Sequence, residues 1–214
     1  SQPAIMATSI AILRCLQYEK LINLANVSYT AGHSLGEYSS LVATESLDFK
    51  DAVKILKVRS EAMQESMPIG TGGMAAIIGS SLNQITKLLP ELNKIGKIYV
   101  ANDNADGQIV LSGEIRVIDH ICSNSKTYGI KRAIKLPVSA PFHCELIYSA
   151  KSKIRNEVQN YNFKDFKFPL ISNVEARPCK SSNIGELLVN QVVSRVRWRE
   201  SIEYIKKKKV TTFI

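Results

Sequence analysis

The sequence predicts an α/β protein that carries a smaller α+β unit inserted into a larger domain. An apolar run from residue 26 leads into Gly-x-Ser-x-Gly and then into a helical pattern, which is a strand, a turn and a helix. A turn-rich segment, residues 68–73, precedes a change of pattern to β-α-β-β-α-β. Beyond residue 141 the pattern returns to alternating helices and strands. We therefore expect a large domain of residues 1–69 and 141–214, and a small inserted domain of residues 70–140.

The elements of the large domain follow from apolar spacing and from helix-start signals. Apolar residues would occupy most of the circumference of a helix over residues 3–16, which predicts that this helix is buried, and Pro3 suits its start. Further elements are predicted as follows: a buried strand over 26–31, a strand over 168–172, and helices over 35–44, 48–67, 150–158, 184–193 and 198–207.

The small domain is predicted from six consecutive patterns. They are strands at 74–79, 98–102, 108–112 and 132–138, and helices at 82–89 and 115–128. The order β-α-β-β-α-β is that of the ferredoxin-like arrangement. The polar run 102–107 is rich in Asn, Asp and Gly, which favour turns, and is predicted to be a hairpin turn.

Composition excludes several functional classes. The chain has 214 residues, of which 45% are hydrophobic, and no apolar run reaches the roughly 18 residues that a membrane span needs. The four cysteines have no metal-ligand spacing, so we expect reduced thiols, no metal site and a cytoplasmic location. The net charge of +9 is spread widely, apart from four lysines at 206–209 at a predicted helix end. We expect no nucleic-acid or membrane partner; the charge would suit an acidic protein partner.

The segment around Ser34 is typical of a nucleophile elbow. In that geometry the serine lies on a strained turn between a strand and a helix, and its Oγ stands at the positive end of the helix. Gly32 and Gly36 are expected to leave room for backbone that a Cβ would obstruct. A Gly-bracketed turn without catalytic meaning is the alternative interpretation of the same five residues.

Two other residues suit a serine-based acyl transfer. His143 follows a predicted strand and a Pro turn, and it is the candidate general base, because His120 lies in a small-domain helix and His33 adjoins the serine itself. Arg59 lies in the middle of an apolar helix face, where a guanidinium needs an anion or an outlet to water. An internal acidic partner would satisfy it. Near a nucleophile it could instead bind a substrate carboxylate bidentately.

Several spaced motifs together resemble the bacterial malonyl-CoA:acyl carrier protein transacylases of fatty-acid synthesis. The resemblance spans nearly the whole chain. The segments that carry it are GHSLGEYSSLVA from Gly32, VRSEAMQE from Val58, GTGGMAAIIG from Gly70, VSAPFHCELI from Val138 and NQVVSRVRW from Asn190. It implies an α/β-hydrolase-like large domain with a ferredoxin-like insertion.

The resemblance also implies a role for each site residue. Ser34 is the nucleophile, His143 its base, and the backbone carbonyl at Gln191 orients that base; Arg59 holds the free carboxylate of malonyl, and the N–H of Leu35 serves the oxyanion hole. Malonyl would pass from malonyl-CoA through malonyl-serine to the phosphopantetheine thiol of acyl carrier protein, in a ping-pong cycle. No permanently bound cofactor and no metal are implied, and we expect a monomer.

The sequence departs from the family at both ends, where we expect that the chain is truncated. The family's second oxyanion donor, a Gln in a Gly-rich segment near the N-terminus, has no counterpart here, and neither has the Gly-Pro-Gly segment after the last strand. Three alternatives therefore stay open: an inactive remnant that at most binds acyl carrier protein, an acyltransferase of the polyketide type, and a serine esterase. Arg59 disfavours the esterase, since a neutral acyl group needs no cation.

Overall fold

The chain folds as the mixed α/β protein that the sequence predicts. The computed structural model describes residues 2–214. In chain order the elements are α1 (Gln2–Tyr18), β1 (Thr30–Ala31), α2 (Gly36–Ala43), α3 (Phe49–Glu65), β2 (Gly72–Ile78), α4 (Leu82–Leu92), β3 (Ile98–Ala105), β4 (Gln108–Glu114), α5 (Ile115–Ser123), β5 (Arg132–Lys135), α6 (Ala150–Val158), β6 (Leu170–Ile171), α7 (Ser181–Gln191) and α8 (Trp198–Lys207). Short 3-10 helices lie at Leu24–Asn26, Ser125–Tyr128 and Glu145–Ile147.

Contacts divide the chain into two compact units. The first consists of Ser1–Glu61, of which the structure describes residues 2–61, together with Ser152–Val189 and Glu200–Ile214. The second consists of Ala62–Lys151 and Asn190–Arg199. The sequence prediction of an inserted domain at 70–140 lies inside the second unit's longer segment, and its boundaries remain a prediction.

The first unit is built on a two-stranded parallel sheet. Thr30 pairs with Leu170 and Ala31 with Ile171, so β1 and β6 run side by side. Both strands are two residues long, much shorter than the predicted strands over 26–31 and 168–172. Leu170 and Ile171 are buried, but most of the unit's buried apolar side chains lie on the surrounding helices, because a strand pair of this length cannot form a core of its own.

Helix α1 corrects the prediction of a buried helix. It packs on α2 through one face, which buries Met6 and Ile10, while Ile5 is 52% and Ile12 is 56% exposed. Its apolar residues do surround the helix as predicted. No part of the chain at 2–214 covers the opposite face, so apolar composition all round did not mean burial all round.

The second unit contains the predicted β-α-β-β-α-β arrangement. Its antiparallel sheet has the order β3-β4-β2-β5, and α4 and α5 cover the sheet with an apolar core that includes Ile77, Leu111 and Ile118. A capping box starts α4: Ser81 Oγ accepts from the Gln84 N–H, and the Ser81 N–H donates to Gln84 Oε1. The ferredoxin-like expectation is therefore confirmed.

The polar run at 102–107 is not a turn along its whole length. Strand β3 continues through Asn102 and Asp103 to Ala105, and only the two residues before β4 form the turn. Asp103 pairs with Ile109 in the sheet, and its carboxylate binds the guanidinium of Arg199 at 2.8 and 3.1 Å. These partners come from elsewhere in the chain, and they outweigh the local turn preference of Asn and Asp.

Candidate active site

Ser34 lies at the turn between β1 and α2, as the elbow prediction requires. Its φ of 55° is left-handed, a conformation that a non-glycine residue holds only when its surroundings impose it. A Cβ on Gly32 would lie 1.9 Å from the carbonyl oxygen of Gly36, so only glycine fits at position 32. The expectation was wrong for Gly36, where a Cβ would meet no atom within 4 Å.

The side chain of Asn173 holds the turn from the neighbouring strand. Asn173 follows β6 and is 1% exposed. Its Oδ1 accepts a hydrogen bond of 2.7 Å from the Ser34 N–H, and its Nδ2 donates one of 2.7 Å to the carbonyl of Gly32. The Asn173 N–H in turn donates to Oε1 of Glu37 at 3.2 Å, and Glu37 is completely buried. Two polar side chains thus fix the elbow backbone.

Arg59 lies on α3 with only 1% of its surface exposed, and it points at the serine. Its Nη2 donates a hydrogen bond of 3.0 Å to Ser34 Oγ, and its Nη1 donates one of 2.5 Å to Oε1 of Gln2. The guanidinium also lies 5.7 Å from the ring centre of Tyr38. Burial lowers the pKa of Arg59, while the charges of Tyr38 and Glu37 oppose that shift. The group stays a cation at neutral pH, because no protein environment readily deprotonates it.

The N–H of Leu35 lies directly after the serine. Leu35 has a helical conformation, with φ of −57° and ψ of −25°, and α2 begins at the next residue. Within the part of the chain that the structure describes, no group accepts a hydrogen bond from this N–H. A free donor at a helix N-terminus is suited to a developing oxyanion.

His143 and Gln191 are brought together in the second unit. Nδ1 of His143 lies 2.9 Å from the backbone carbonyl of Gln191, and both side chains are buried. A carbonyl can only accept, so Nδ1 carries a proton, and in the neutral imidazole Nε2 has the lone pair. This is the tautomer that a general base needs. The contact uses the backbone of Gln191 and not its side chain.

The loop before His143 is held rigidly. A Cβ on Gly72 would lie 2.5 Å from the Pro141 ring, so glycine at the start of β2 allows the proline to pack there. Ser112 Oγ donates a hydrogen bond of 2.5 Å to the carbonyl of Phe142. His143 itself has a left-handed φ of 60°, like Ser34. Contacts on both sides of the loop hold His143 in this strained conformation.

The choice of His143 as the general base remains a prediction, and the structure shows what His120 contacts. His120 lies in α5, and its Nε2 is 2.9 Å from the Tyr128 hydroxyl, which is a structural contact within the second unit. Sequence reasoning missed Asn173 and Glu37. The available signal was the polar pair Ser172-Asn173 directly after a buried strand, because polar residues at the carboxyl end of a parallel strand commonly line a site.

Residues 2–214 contain neither a candidate metal site nor a candidate membrane-spanning helix. No group of three or more His, Cys, Asp or Glu side chains there could hold a metal ion. Among the same residues, no helix combines the length and the apolar character that crossing a bilayer demands.

Comparison with known proteins places these features in a family. The family model described as "Acyl transferase domain" matches residues 1–214. The malonyl CoA-acyl carrier protein transacylase of Bacillus subtilis (strain 168) is 42% identical over 218 residues, which cover all of this chain and 67% of that protein. The chain thus spans about two thirds of the length of this curated relative.

Solved structures agree in fold. An acyl-carrier-protein S-malonyltransferase from Bartonella henselae superposes with a TM-score of 0.91 at 40% identity, over 98% of this chain and 67% of that one. A malonyl transacylase solved in complex with a holo type II polyketide-synthase acyl carrier protein has a TM-score of 0.91 at 37% identity, over 98% and 67% of the two chains. A match over every residue, with such structural agreement, leads to one conclusion: the chain belongs to the acyl transferase domain family.

Proposed function

We propose that the chain transfers malonyl from malonyl-CoA to the phosphopantetheine thiol of acyl carrier protein, in fatty-acid biosynthesis in the cytoplasm. The relatives named above as malonyl transacylases support the substrate and the acceptor. The cycle is ping-pong, and its intermediate is a malonyl ester of Ser34.

The observation that carries the proposal is the hydrogen bond from Arg59 Nη2 to Ser34 Oγ, 3.0 Å long. The hydrogen bond places a cation in contact with the nucleophile, where it would attract a substrate carboxylate. Malonyl supplies such an anion, because its free carboxylate lies at the end of the acyl group remote from the thioester. Arg59 can bind a carboxylate bidentately and so hold the thioester carbonyl near the serine.

The first half-reaction forms the ester and releases CoA. Ser34 Oγ attacks the thioester carbonyl carbon, the hydroxyl proton passes to Nε2 of His143, and the Leu35 N–H donates to the oxyanion. Collapse of the tetrahedral intermediate breaks the C–S bond, and the imidazolium returns the proton to the CoA sulfur. The reaction needs no bound cofactor or metal.

The second half-reaction repeats these steps with another thiol. The phosphopantetheine thiol gives its proton to His143 and attacks the malonyl ester, and Ser34 leaves as the hydroxyl after it regains the proton. The hydrogen bond from His143 Nδ1 to the Gln191 carbonyl supports this role, since it fixes the basic tautomer. A neutral orienter stabilises imidazolium less than a carboxylate would.

Intact-mass measurement after incubation with malonyl-CoA tests the proposal. We expect one malonyl adduct in the wild-type chain, no adduct in Ser34→Ala, and a strongly slowed adduct in His143→Ala. Addition of holo acyl carrier protein should then remove the adduct and malonylate the carrier. A folded wild-type chain that acquires no adduct would show that it is an inactive remnant, and the proposal would fail.

A polyketide-type acyltransferase is the second candidate. The structural relative bound to a type II polyketide-synthase carrier favours it, since its identity to this chain is close to that of the fatty-acid relatives. The two candidates differ only in the acceptor. Competition between the two kinds of holo carrier protein for the malonyl-serine chain would separate them, and faster transfer to the fatty-acid carrier is the expected result.

Two simple controls test whether the chain hydrolyses neutral esters and whether it associates with itself. We expect negligible hydrolysis of neutral short-chain esters, because a neutral acyl group offers no carboxylate to Arg59 beside Ser34. We further propose that the chain acts as a monomer. Light scattering at several concentrations should give the mass of one chain, and a concentration-dependent rise in mass would contradict this.

A further inference from the structure

Asn173 makes two side-chain hydrogen bonds with the nucleophile turn in the first unit. Its amide oxygen accepts from the Ser34 N–H, and its amide nitrogen donates to the Gly32 carbonyl, both at 2.7 Å. The orientation of the amide is determined by these two partners, because a flipped amide would place donor against donor and acceptor against acceptor. Asn173 therefore bridges the residues on both sides of His33.

Glu37 supports Asn173 from the helix that follows the turn. Its carboxylate accepts from the Asn173 N–H at 3.2 Å and is completely buried in the first turn of α2. A negative charge is favourable at a helix N-terminus. Because β1 and β6 are parallel neighbours, their carboxyl ends bring the elbow and Asn173 to the same edge of the sheet.

The left-handed backbone at Ser34 needs such support. A residue with a Cβ holds φ of 55° only when its neighbours over-determine the turn. The same backbone angle sets the direction of Ser34 Oγ and of the Leu35 N–H, which are separated by a single peptide unit. If the turn relaxes, both groups move together.

We propose that Asn173 is a positioning residue, which holds the Ser34 peptide so that the nucleophile and the Leu35 N–H face the same reacting carbonyl. This inference rests on the proposed function for its substrate, but it concerns the reactivity of Ser34 with any acylating or phosphonylating reagent. Binding of the malonyl carboxylate runs through Arg59, whereas the side chain of Asn173 binds the Ser34 N–H and the Gly32 carbonyl. Loss of Asn173 should therefore lower kcat and leave KM nearly unchanged.

Asn173→Asp gives a readout that a merely structural role would not give. A protonated Asp has one acceptor and one O–H donor, as Asn has, whereas an ionised Asp sets a negative oxygen against the Gly32 carbonyl. Burial and the charge of Glu37 both raise the pKa of a carboxyl at this position. Glu37, which contacts Asn173, and Arg59, which contacts Ser34, are present in the wild-type chain too, so the ratio of variant to wild-type rates cancels the titration that the two proteins share.

The experiment measures phosphonylation of the full chain by a fluorophosphonate between pH 5 and pH 8. In that reaction the Ser34 O–P bond forms, the P–F bond breaks, fluoride leaves and the hydroxyl proton passes to the base. We expect an N173D to wild-type ratio near one at pH 5 that falls roughly 100-fold by pH 8, since a misplaced nucleophile costs about that factor. Asn160→Asp, the same change at an exposed asparagine, should give a flat ratio near one.

Folding is monitored by circular dichroism and thermal midpoint at each pH. A ratio that is flat over this range in folded N173D overturns the proposal. If N173D unfolds, Asn173→Ser is the second variant, because its short side chain loses the link to the Ser34 N–H without adding charge. We expect its labelling to be roughly 100-fold slower at every pH. A rate within about twofold of wild type in folded N173S overturns the proposal.

Failure of the proposed function gives a different result. A wild-type chain that is phosphonylated at Ser34 but not malonylated by malonyl-CoA would overturn the proposed substrate only, and the Asn173 ratios would still decide the positioning role. A folded wild-type chain that resists phosphonylation would overturn both.

Discussion

Nη2 of Arg59 and Oγ of Ser34 are joined by a hydrogen bond of 3.0 Å, although the two residues are 25 positions apart. Arg59 is 1% exposed, so its charge lies beside the nucleophile in a poorly solvated setting. Gln2 Oε1 and the Tyr38 ring contact the same guanidinium and fix its direction. The arrangement predicts selectivity for acyl groups that carry a carboxylate.

Arg59→Ala should abolish the preference for malonyl over acetyl thioesters and admit longer neutral acyl groups. A charge-assisted hydrogen bond contributes about 1.5–3 kcal/mol, so kcat/KM for malonyl-CoA should fall by a factor of roughly 10 to 100. Arg155→Ala is the matched control, because that arginine forms an exposed ion pair with Glu186. Unchanged selectivity in R59A would rule out the role of Arg59 in binding carboxylate.

The two glycines of the elbow should respond in opposite directions. Gly32→Ala places a Cβ 1.9 Å from a backbone oxygen and should lower the free energy of unfolding by at least about 3 kcal/mol. Gly36→Ala meets no atom within 4 Å in α2 and should raise it by about 0.5–1 kcal/mol, through helix propensity. Urea unfolding checks both values. Equal destabilisation by the two substitutions would contradict the elbow geometry.

Gln191→Ala should retain most of the activity that His143→Ala loses. Only the backbone carbonyl of residue 191 accepts from Nδ1, and alanine has the same carbonyl. The loss of a completely buried amide should cost about 1–3 kcal/mol of stability. Single-turnover malonylation at 10 °C separates the two effects. A loss of rate in Q191A as large as that in H143A would show that the side chain itself takes part.

Arg199→Ala should destabilise the second unit markedly. It removes the partner of the Asp103 carboxylate, which is 1% exposed, and such a loss costs about 3–5 kcal/mol; the 27% exposure of Arg199 favours the lower value. The control is Arg116→Ala, which breaks an exposed pair with Glu114 and should cost about 0–1 kcal/mol. Denaturant unfolding compares the two variants, and similar losses would contradict the importance of burial.

Cys144 should be inert to iodoacetamide at pH 8 in the folded chain. Burial raises the pKa of this thiol to about 12, above its ordinary value of 9.0, and only the thiolate is alkylated. Exposed Cys15 should be modified first. Since the folded-state pKa is raised, the stability contributed by the neutral thiol is present below pH 9 and is lost as pH rises toward 12.

Two measurements check this pH dependence. Peptide mass spectrometry gives the order of alkylation, and urea unfolding from pH 8 to pH 11 gives the slope of stability. Cys144→Ala should lose stability with pH less steeply than the wild-type chain does. A parallel slope in the two proteins would show that another group, such as Tyr38, whose pKa burial raises to about 12, accounts for the alkaline loss.

Local patterns predicted the second unit well, because its strands and helices follow the periodic spacing of apolar residues. The strands β2 to β5 and the helices α4 and α5 lie where the apolar patterns predicted them, with differences of a few residues at the ends. The strands β1 and β6 were predicted too long. Their length depends on which residues find a partner in the neighbouring strand, and no periodicity within a single segment contains that information.

The sequence by itself determined the class of fold, the elbow at Ser34 and the types of side chain that acyl transfer needs, because glycine spacing and apolar periodicity are local properties. The resemblance implied the roles of Arg59 and Gln191, but only the tertiary structure gives the contacts of Arg59 with Ser34 and of Gln191 with His143, and it adds the contact of Asn173 with Ser34. Those contacts join residues 25, 48 and 139 positions apart. Strand pairing and helix packing set such distances, and they are properties of the folded chain as a whole.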